Sequence, residues 1–288
     1  MGTNGRRVWD QLIVSSFRFA ERYLRVHVTP LHFYSPIPTT CELPPEVFDR
    51  VSDCVGLDWK LAKQIDLLER VLPTYLAEYQ PPVTGSLSQV DAFVLYSLIR
   101  QRRPRIMVEV GSGESTRVAL AAIRANAAEG TPGRLVAIEP YPLGFLRDLN
   151  GPDFELVEKR VQDVDPSRLT SAEILFIDST HVAKIGSDVN WEMLEIVPRL
   201  KAGTLVHWHD VRLPAEYPRA WIEHGNRFWN EAYLLHAFML FNRAFEVRWA
   251  SHYLQMLEPG RLARILPFFA PDDPAQQNLS FWVERVGG

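Results

Sequence analysis

The chain has 288 residues, 47% of them hydrophobic and 23% charged, with a formal net charge of −4 and a sequence pI near 6.1. That composition excludes a disordered chain, and the acidic balance leaves no electrostatic footprint for nucleic acid. Cys41 and Cys54 are too few for a disulfide framework, and no window reaches the ~18 apolar residues of a membrane span. Without a signal-peptide pattern after Met1, the sequence predicts a cytoplasmic protein.

Residues 6–28 read as a helix. Val8, Leu12, Phe19, Tyr23 and Val26 fall roughly on one face, and Arg6, Arg7, Arg18, Arg22 and Arg25 give it a basic side. Such a helix serves as a lid, a dimer arm or a membrane-surface segment, or it packs on the main domain; a homodimer is the expected assembly. Residues 29–45 are rich in proline and aromatics and predict an extended loop, whose Tyr34 is a candidate substrate-pocket residue. A second helix is expected over 59–78, ended by Pro81 and Pro82, and a third over 90–100 after the cap residues of 85–89. The expected organisation is a helical and loop extension over 1–84 and a main domain over 85–288.

From Arg105 strands and helices alternate. Strands are expected at 105–110, 134–139, 153–158, 173–178 and 203–209, with helices at 115–128, 143–149, 187–200 and 227–243. This alternation predicts an α/β fold, a parallel sheet covered by helices on both faces. Two further strands, 245–249 and 279–284, are joined by a proline-rich connection with no full helical crossover, which predicts an antiparallel end to the sheet.

The first strand, Ile106-Met107-Val108-Glu109-Val110, stops at Gly111-Ser112-Gly113, and an alanine-rich helix follows Glu114-Ser115-Thr116. Strand, glycine turn and helix bring backbone N–H groups up to a ligand. A carboxylate at Glu109 repels a pyrophosphate but suits an ammonium or sulfonium charge, so a cationic, adenosine-type ligand is expected, with S-adenosylmethionine the leading candidate. A dinucleotide fingerprint needs a third glycine where Thr116 stands. Ligands of such folds sit outside the carboxyl ends of the strands. There Glu139 and Pro140 fit a ribose, Gln162 and Asp163 an adenine edge, and Asp178, His181, His209 and Asp210 crowd the next two strand ends. Asp178, His209 and Asp210 make an oxygen-rich set suited to Mg²⁺ or Mn²⁺, whereas His181 or His209 could instead act as general base, or Asp178 and His209 could only hydrogen-bond the ligand. Tyr217 and Trp229 are candidate acceptor-pocket residues, with a core role as the alternative.

The runs Val108–Thr116, Ile138-Glu139-Pro140-Tyr141-Pro142, Phe176-Ile177-Asp178-Ser179-Thr180-His181 and Val206-His207-Trp208-His209-Asp210-Val211 carry a family resemblance. With Phe33–Pro38, Gly186–Glu192 and Trp229–Tyr233, they extend it over about residues 30–255. The chain resembles class I S-adenosylmethionine-dependent methyltransferases, in the bacterial branch of small-molecule and glycan O-methyltransferases. The resemblance implies a Rossmann-like, doubly wound, seven-stranded sheet with a reversed last strand. It implies that Glu109, Gly111 and Gly113 hold the methionine part, and Ser112, Ser115 and Thr116 are expected among the cofactor-binding residues. Glu139 would hold the ribose and Asp163 the adenine neighbourhood. In metal-dependent catechol-type relatives the places of Asp178 and Asp210 bind Mg²⁺. The expected activity is O-methylation of a small molecule, natural product or sugar; N-methyl transfer and a catalytically silent, cofactor-binding scaffold are the alternatives.

Overall fold

A computed structural model describes residues 12–13, 15–27, 34–39, 43–80, 87–271, 273 and 276–287. The chain groups into two compact units, Met1–Asp49 with Pro218–Phe228, and Arg50–Tyr217 with Trp229–Gly288. Residues 50–80 therefore group with the sheet rather than with the N-terminal segment.

In the first unit, residues 12–13 and 15–19 are helical and run into a π-turn, Ala20–Leu24. The turn closes at Arg25, which takes a left-handed conformation (φ 58°) and donates its N–H to the Ala20 carbonyl. Val8, Arg6 and Arg7 of the expected helix lie outside the described residues. A short helix, Arg219–Glu223, belongs to the same unit, and the Arg219 guanidinium lies over the Phe48 ring at 4.8 Å.

The second unit is built on a seven-stranded sheet: β1 (Ile106–Val110), β2 (Arg134–Ile138), β3 (Phe154–Val157), β4 (Ile174–Ile177), β5 (Leu205–Trp208), β6 (Phe245–Ala250) and β7 (Phe281–Arg285). The spatial order is β3-β2-β1-β4-β5-β7-β6. The first five strands are parallel, and β7 runs antiparallel between β5 and β6. β1, β4 and β5 are buried on both faces and apolar but for Glu109 and His207, as suits strands covered on both sides. The reversed strand and the antiparallel tail agree with the sequence reading.

The helix Gln89–Arg102 opens at Ser88, whose hydroxyl accepts from the Asp91 N–H at 3.0 Å, and ends at Arg103 in a left-handed conformation. It packs against the helix Glu114–Ala128, and Phe93, Leu95, Ile99 and Ile123 join Met107, Trp249 and Trp282 in one core. Within that core the fully buried Asp91 carboxylate accepts from Ser251 Oγ (2.5 Å) and from the N–H groups of Leu279 (2.7 Å) and Ser280 (3.3 Å). One side chain thus ties the third expected helix to the entry of β7.

Other elements differ from expectation. The helix expected over 59–78 is α-helical only over Leu61–Asp66, then widens to a π-turn, Leu67–Val71, and tightens to a 3₁₀ turn, Leu72–Tyr75. The helix expected over 187–200 passes through the same sequence of Asp188–Trp191, Glu192–Ile196 and Val197–Arg199. Pro73 and Pro198 lie in the two final turns; each removes an N–H and crowds the preceding turn, and the backbone widens ahead of it. The helix expected from 227 begins only at Glu231. The connection from β6 to β7 contains two helices, Ser251–Leu257 and Pro259–Ile265, that the prolines of this stretch conceal; Pro259 sits in the first turn, where the missing N–H costs nothing. Among the described residues no helix is long and apolar enough to cross a membrane.

Candidate active site

A cleft of about 420 Å³ opens at the carboxyl ends of β1, β2 and β4. Gly111 forms its floor. With φ at +78° and a would-be Cβ only 1.8 Å from the Asp178 carbonyl oxygen, that position accepts glycine alone. Gly111 N–H bonds the Ile138 carbonyl and Asp178 N–H bonds the Val110 carbonyl, which locks three strand ends together. Glu139 lines the cleft and accepts from the N–H groups of Tyr141 (2.8 Å) and Ser112 (3.4 Å), holding the glycine turn to the second strand end. Pro140, Gln162 and Asp178 line it too, and Gln162 donates to the Gly186 carbonyl at 3.1 Å.

Other candidates stand elsewhere. Glu109 is fully buried beneath the turn; one carboxylate oxygen accepts from Thr116 Oγ1 at 2.6 Å and the other has no partner. Burial raises its pKa to about 7 against the lowering effect of the Thr116 hydroxyl, so it is a carboxyl that supports the turn from behind. Ser115 and Thr116 are buried in the first turn of the following helix, and Gly113 precedes it with open space at its Cα. Asp163 ends a 3₁₀ turn outside the cleft lining, and its carboxylate is held by Arg160 at 2.8 Å.

Asp178 links the cleft to a cluster of acids around one imidazole. His181 Nε2 lies 3.3 Å from Asp178 Oδ1 and 3.4 Å from Asp210 Oδ2, and His181 Nδ1 lies 2.9 Å from Glu231 Oε2. Both His181 and Asp210 sit in left-handed conformations (φ 60° and 56°), which turns their side chains toward one another from adjacent strand ends. The His181 carbonyl accepts from the N–H groups of Asn230 and Glu231, and the Trp229 ring lies 4.3 Å from the imidazole. This use of residues 229–231 explains the late start of the helix that follows. Burial disfavours a charged His181, but hydrogen bonds to Asp178 and Glu231 outweigh it and carry the pKa up to about 10. Burial would raise Asp178, yet the imidazoles of His209 and His181 hold it below the ordinary carboxylate value. Burial and the neighbouring Glu231 and Asp188 push Glu192, which accepts from Ser179 Oγ, well above that value.

Asp178, His181 and Asp210 each offer a ligand atom, all within 4.8 Å of one another. Among the sequence candidates for a metal, His209 is the one outside this set: its ring stands 5.7 Å from that of His207, and its Nε2 is 3.9 Å from Asp210. His207 is a core residue, bonded to Ser280 Oγ at 2.9 Å and stacked on Phe176, and burial holds its pKa well down. Tyr217 is buried, and its hydroxyl accepts from the Ala232 N–H, so it caps a helix. Tyr34 is 81% exposed in the first unit. Sequence reasoning gave no role to Lys184, a cleft-lining residue, or to Glu231, although Glu231 lies in the run Trp229–Tyr233 that carries part of the resemblance.

Residues 108–211, which span β1 through the end of β5, match the family model described as a methyltransferase domain. The chain belongs to the class I S-adenosylmethionine-dependent methyltransferases. An uncharacterized protein of Archaeoglobus fulgidus is similar to this methyltransferase, 30% identical over 164 residues, which are 50% of this chain and 73% of that protein. Among solved structures, the O-methyltransferase TomG of Streptomyces achromogenes, in complex with S-adenosylmethionine, is 15% identical; the likeness covers 77% of this chain and 90% of that one, with a TM-score of 0.45. The methyltransferase PaMTH1 of Podospora anserina is 12% identical over 90% of this chain and 99% of that one, with a TM-score of 0.43. The methyltransferase-domain match and the strand order, not these superpositions, carry the assignment.

Proposed function

We propose that this methyltransferase transfers the methyl group of S-adenosylmethionine to a hydroxyl oxygen of a small molecule, natural product or sugar. The observation that supports it is the position of Asp178, which lines the cleft while its Oδ1 lies 3.3 Å from His181 Nε2. In the transfer, the acceptor oxygen forms a bond to the methyl carbon as the carbon–sulfur bond breaks, and sulfur leaves with the electron pair as a neutral thioether. The hydroxyl proton goes to His181 Nε2, with Asp178 and Asp210 stabilising the imidazolium. His181 holds a proton up to about pH 10 in the chain alone. A sulfonium charge beside Asp178 offsets the negative field that retains that proton, so cofactor binding lowers the His181 pKa and releases the base form. Glu231 positions the ring through Nδ1, and alignment within the cleft supplies the rest of the rate.

Asp178, Asp210 and His181 would also hold Mg²⁺ or Mn²⁺, and the nitrogen donor favours Mn²⁺. Such an ion would lower the pKa of the acceptor hydroxyl. The test is calorimetric titration with S-adenosylmethionine and S-adenosylhomocysteine, each with EDTA, Mg²⁺ or Mn²⁺, followed by an acceptor screen read as S-adenosylhomocysteine release. Micromolar cofactor binding is expected, lost in Asp178→Ala, with turnover on hydroxyl acceptors that His181→Asn abolishes. Cofactor binding with turnover only on amines would replace the O-methyl reading, and no binding in any buffer would remove the activity itself.

A further inference from the structure

Leu12, Phe19 and Tyr23 follow one another at seven and four residues along the N-terminal helix, and are 54%, 57% and 65% exposed. Seven and four are the spacings that return to one helical face, so these side chains form a single apolar stripe. The Phe19 and Tyr23 rings touch at 5.1 Å, and Val26 extends the stripe beyond the turn. Ala20, on another face, is the one residue of the π-turn that is buried.

A second stripe runs beside the first. Arg18 and Arg22 are four residues apart and exposed, with Arg25 just past the last turn, and the Arg22 guanidinium lies 5.6 Å from the Tyr23 ring centroid. Against these three arginines residues 12–27 carry one acid, Glu21, which is paired with His27 at 3.3 Å. The segment is thus net positive in a chain whose formal charge is −4. Aromatic and aliphatic side chains on one face, bordered by arginines, make up the pattern of a helix that lies in the plane of a lipid headgroup layer.

Charge decides between that occupant and a second copy of this chain. In a two-fold pair joined through the stripe, each copy would bring the same three arginines to the border of the interface and so add like charge there. An anionic headgroup layer offers the opposite charge along the full length of the helix. We propose that this helix is an interfacial anchor that lays the N-terminal unit on an anionic membrane surface, with Leu12, Phe19 and Tyr23 in the acyl boundary and Arg18, Arg22 and Arg25 among the headgroups.

The experiment is co-sedimentation of the full chain with vesicles of phosphatidylcholine alone and with vesicles of equimolar phosphatidylcholine and phosphatidylglycerol. Strong preference for the anionic vesicles, weakened by salt, is expected. Each of Arg18→Gln, Arg22→Gln and Arg25→Gln should weaken partitioning about fivefold, and Phe19→Ser with Tyr23→Ser should abolish it. All these side chains are exposed, and unchanged thermal melts of the variants confirm intact folding. Equal sedimentation with both vesicle types, or binding that survives Phe19→Ser with Tyr23→Ser, overturns the proposal. So does a concentration-dependent dimer by sedimentation equilibrium that these two substitutions dissociate, with no vesicle binding; the stripe would then be a subunit interface.

Discussion

Glu231 approaches His181 from a point 50 residues further along the chain and is itself buried. Its carboxylate acts on the imidazole in two ways. It fixes the ring by accepting at Nδ1, and it adds a negative charge that retains the proton. Glu231→Gln separates the two, because a carboxamide oxygen still accepts from Nδ1 but carries no charge. NMR titration of His181 in this variant should give a midpoint displaced downward from about 10, a loss of roughly tenfold in proton affinity. An unmoved midpoint would mean that Asp178 and Asp210 alone hold the proton. At this scale the sequence was partly legible. Gly111, Glu139 and Asp178 could be read because the strand–turn–helix order fixes where the cleft must open. His209 drew the metal reading because it stands next to Asp210 at a strand end adjacent to that of Asp178, but its ring lies beside that of His207. The left-handed bend at His181, which brings that ring in instead, has no signature in residue type. Asp163 has the right place in the chain, but Arg160, three residues before it, turns its carboxylate aside.

Strands were read to within a residue or two at either end, since a short apolar run bounded by turn residues fits little besides a strand covered on both faces. Helices were harder wherever a proline lay within the periodic stretch, as at Pro73 and Pro198, because apolar spacing persists while the turn changes width. The helices between β6 and β7 went unread for the opposite reason: prolines suggested a loop, although one of them merely starts a helix. Asp91 shows what periodicity cannot supply. It lies on a helix of apolar spacing, yet it holds the N–H groups of Leu279 and Ser280 and the hydroxyl of Ser251. Asp91→Ala would leave these groups buried and unpaired, at a cost of about 3 to 5 kcal/mol. Urea unfolding should show a midpoint lowered accordingly with an unchanged slope, and Asp91→Asn should recover part of the loss. A cost below about 1 kcal/mol would show that water replaces the carboxylate at no great penalty.

Across the whole molecule, buried proton-binding groups set how stability responds to pH. Glu109 keeps its proton to about 7 in the folded chain against an ordinary 4.5, and His181 keeps its proton to about 10 against 6.5. These two groups bind protons more tightly in the folded state, so their contributions fall as pH rises, first through the Glu109 window and then through that of His181. Burial acts the other way on His207, held well below the ordinary imidazole value, and on His252, held down to about 4, so both add stability as pH rises to about 6.5. Surface carboxylates do the same at acid pH. Arg147 holds Glu158 and Arg160 holds Asp163 below their usual values, and those contributions fade as the acids protonate. Above about pH 6.5 the losses at Glu109 and His181 stand unopposed, so the thermal midpoint should decline from there towards pH 10. Glu109→Gln, which keeps the acceptor for Thr116 without the ionisation, should remove Glu109's own downward contribution between pH 4.5 and about 7, leaving a midpoint that rises more or falls less over that range than in the parent chain. A midpoint that is level from pH 5 to 9 would contradict both assignments.

The antiparallel insertion of β7 between β5 and β6 also has a consequence in time. β5 and β6 are made well before β7, yet neither touches the other, and each finds its partner on that side only in Phe281–Arg285. At ordinary synthesis rates the edge of β5 stays open for several seconds, on the order of the time needed to add the intervening residues. During that interval the nascent sheet exposes the template that invites other strands. Shortening the chain before Phe281 would therefore not trim an edge but disconnect two strands at once.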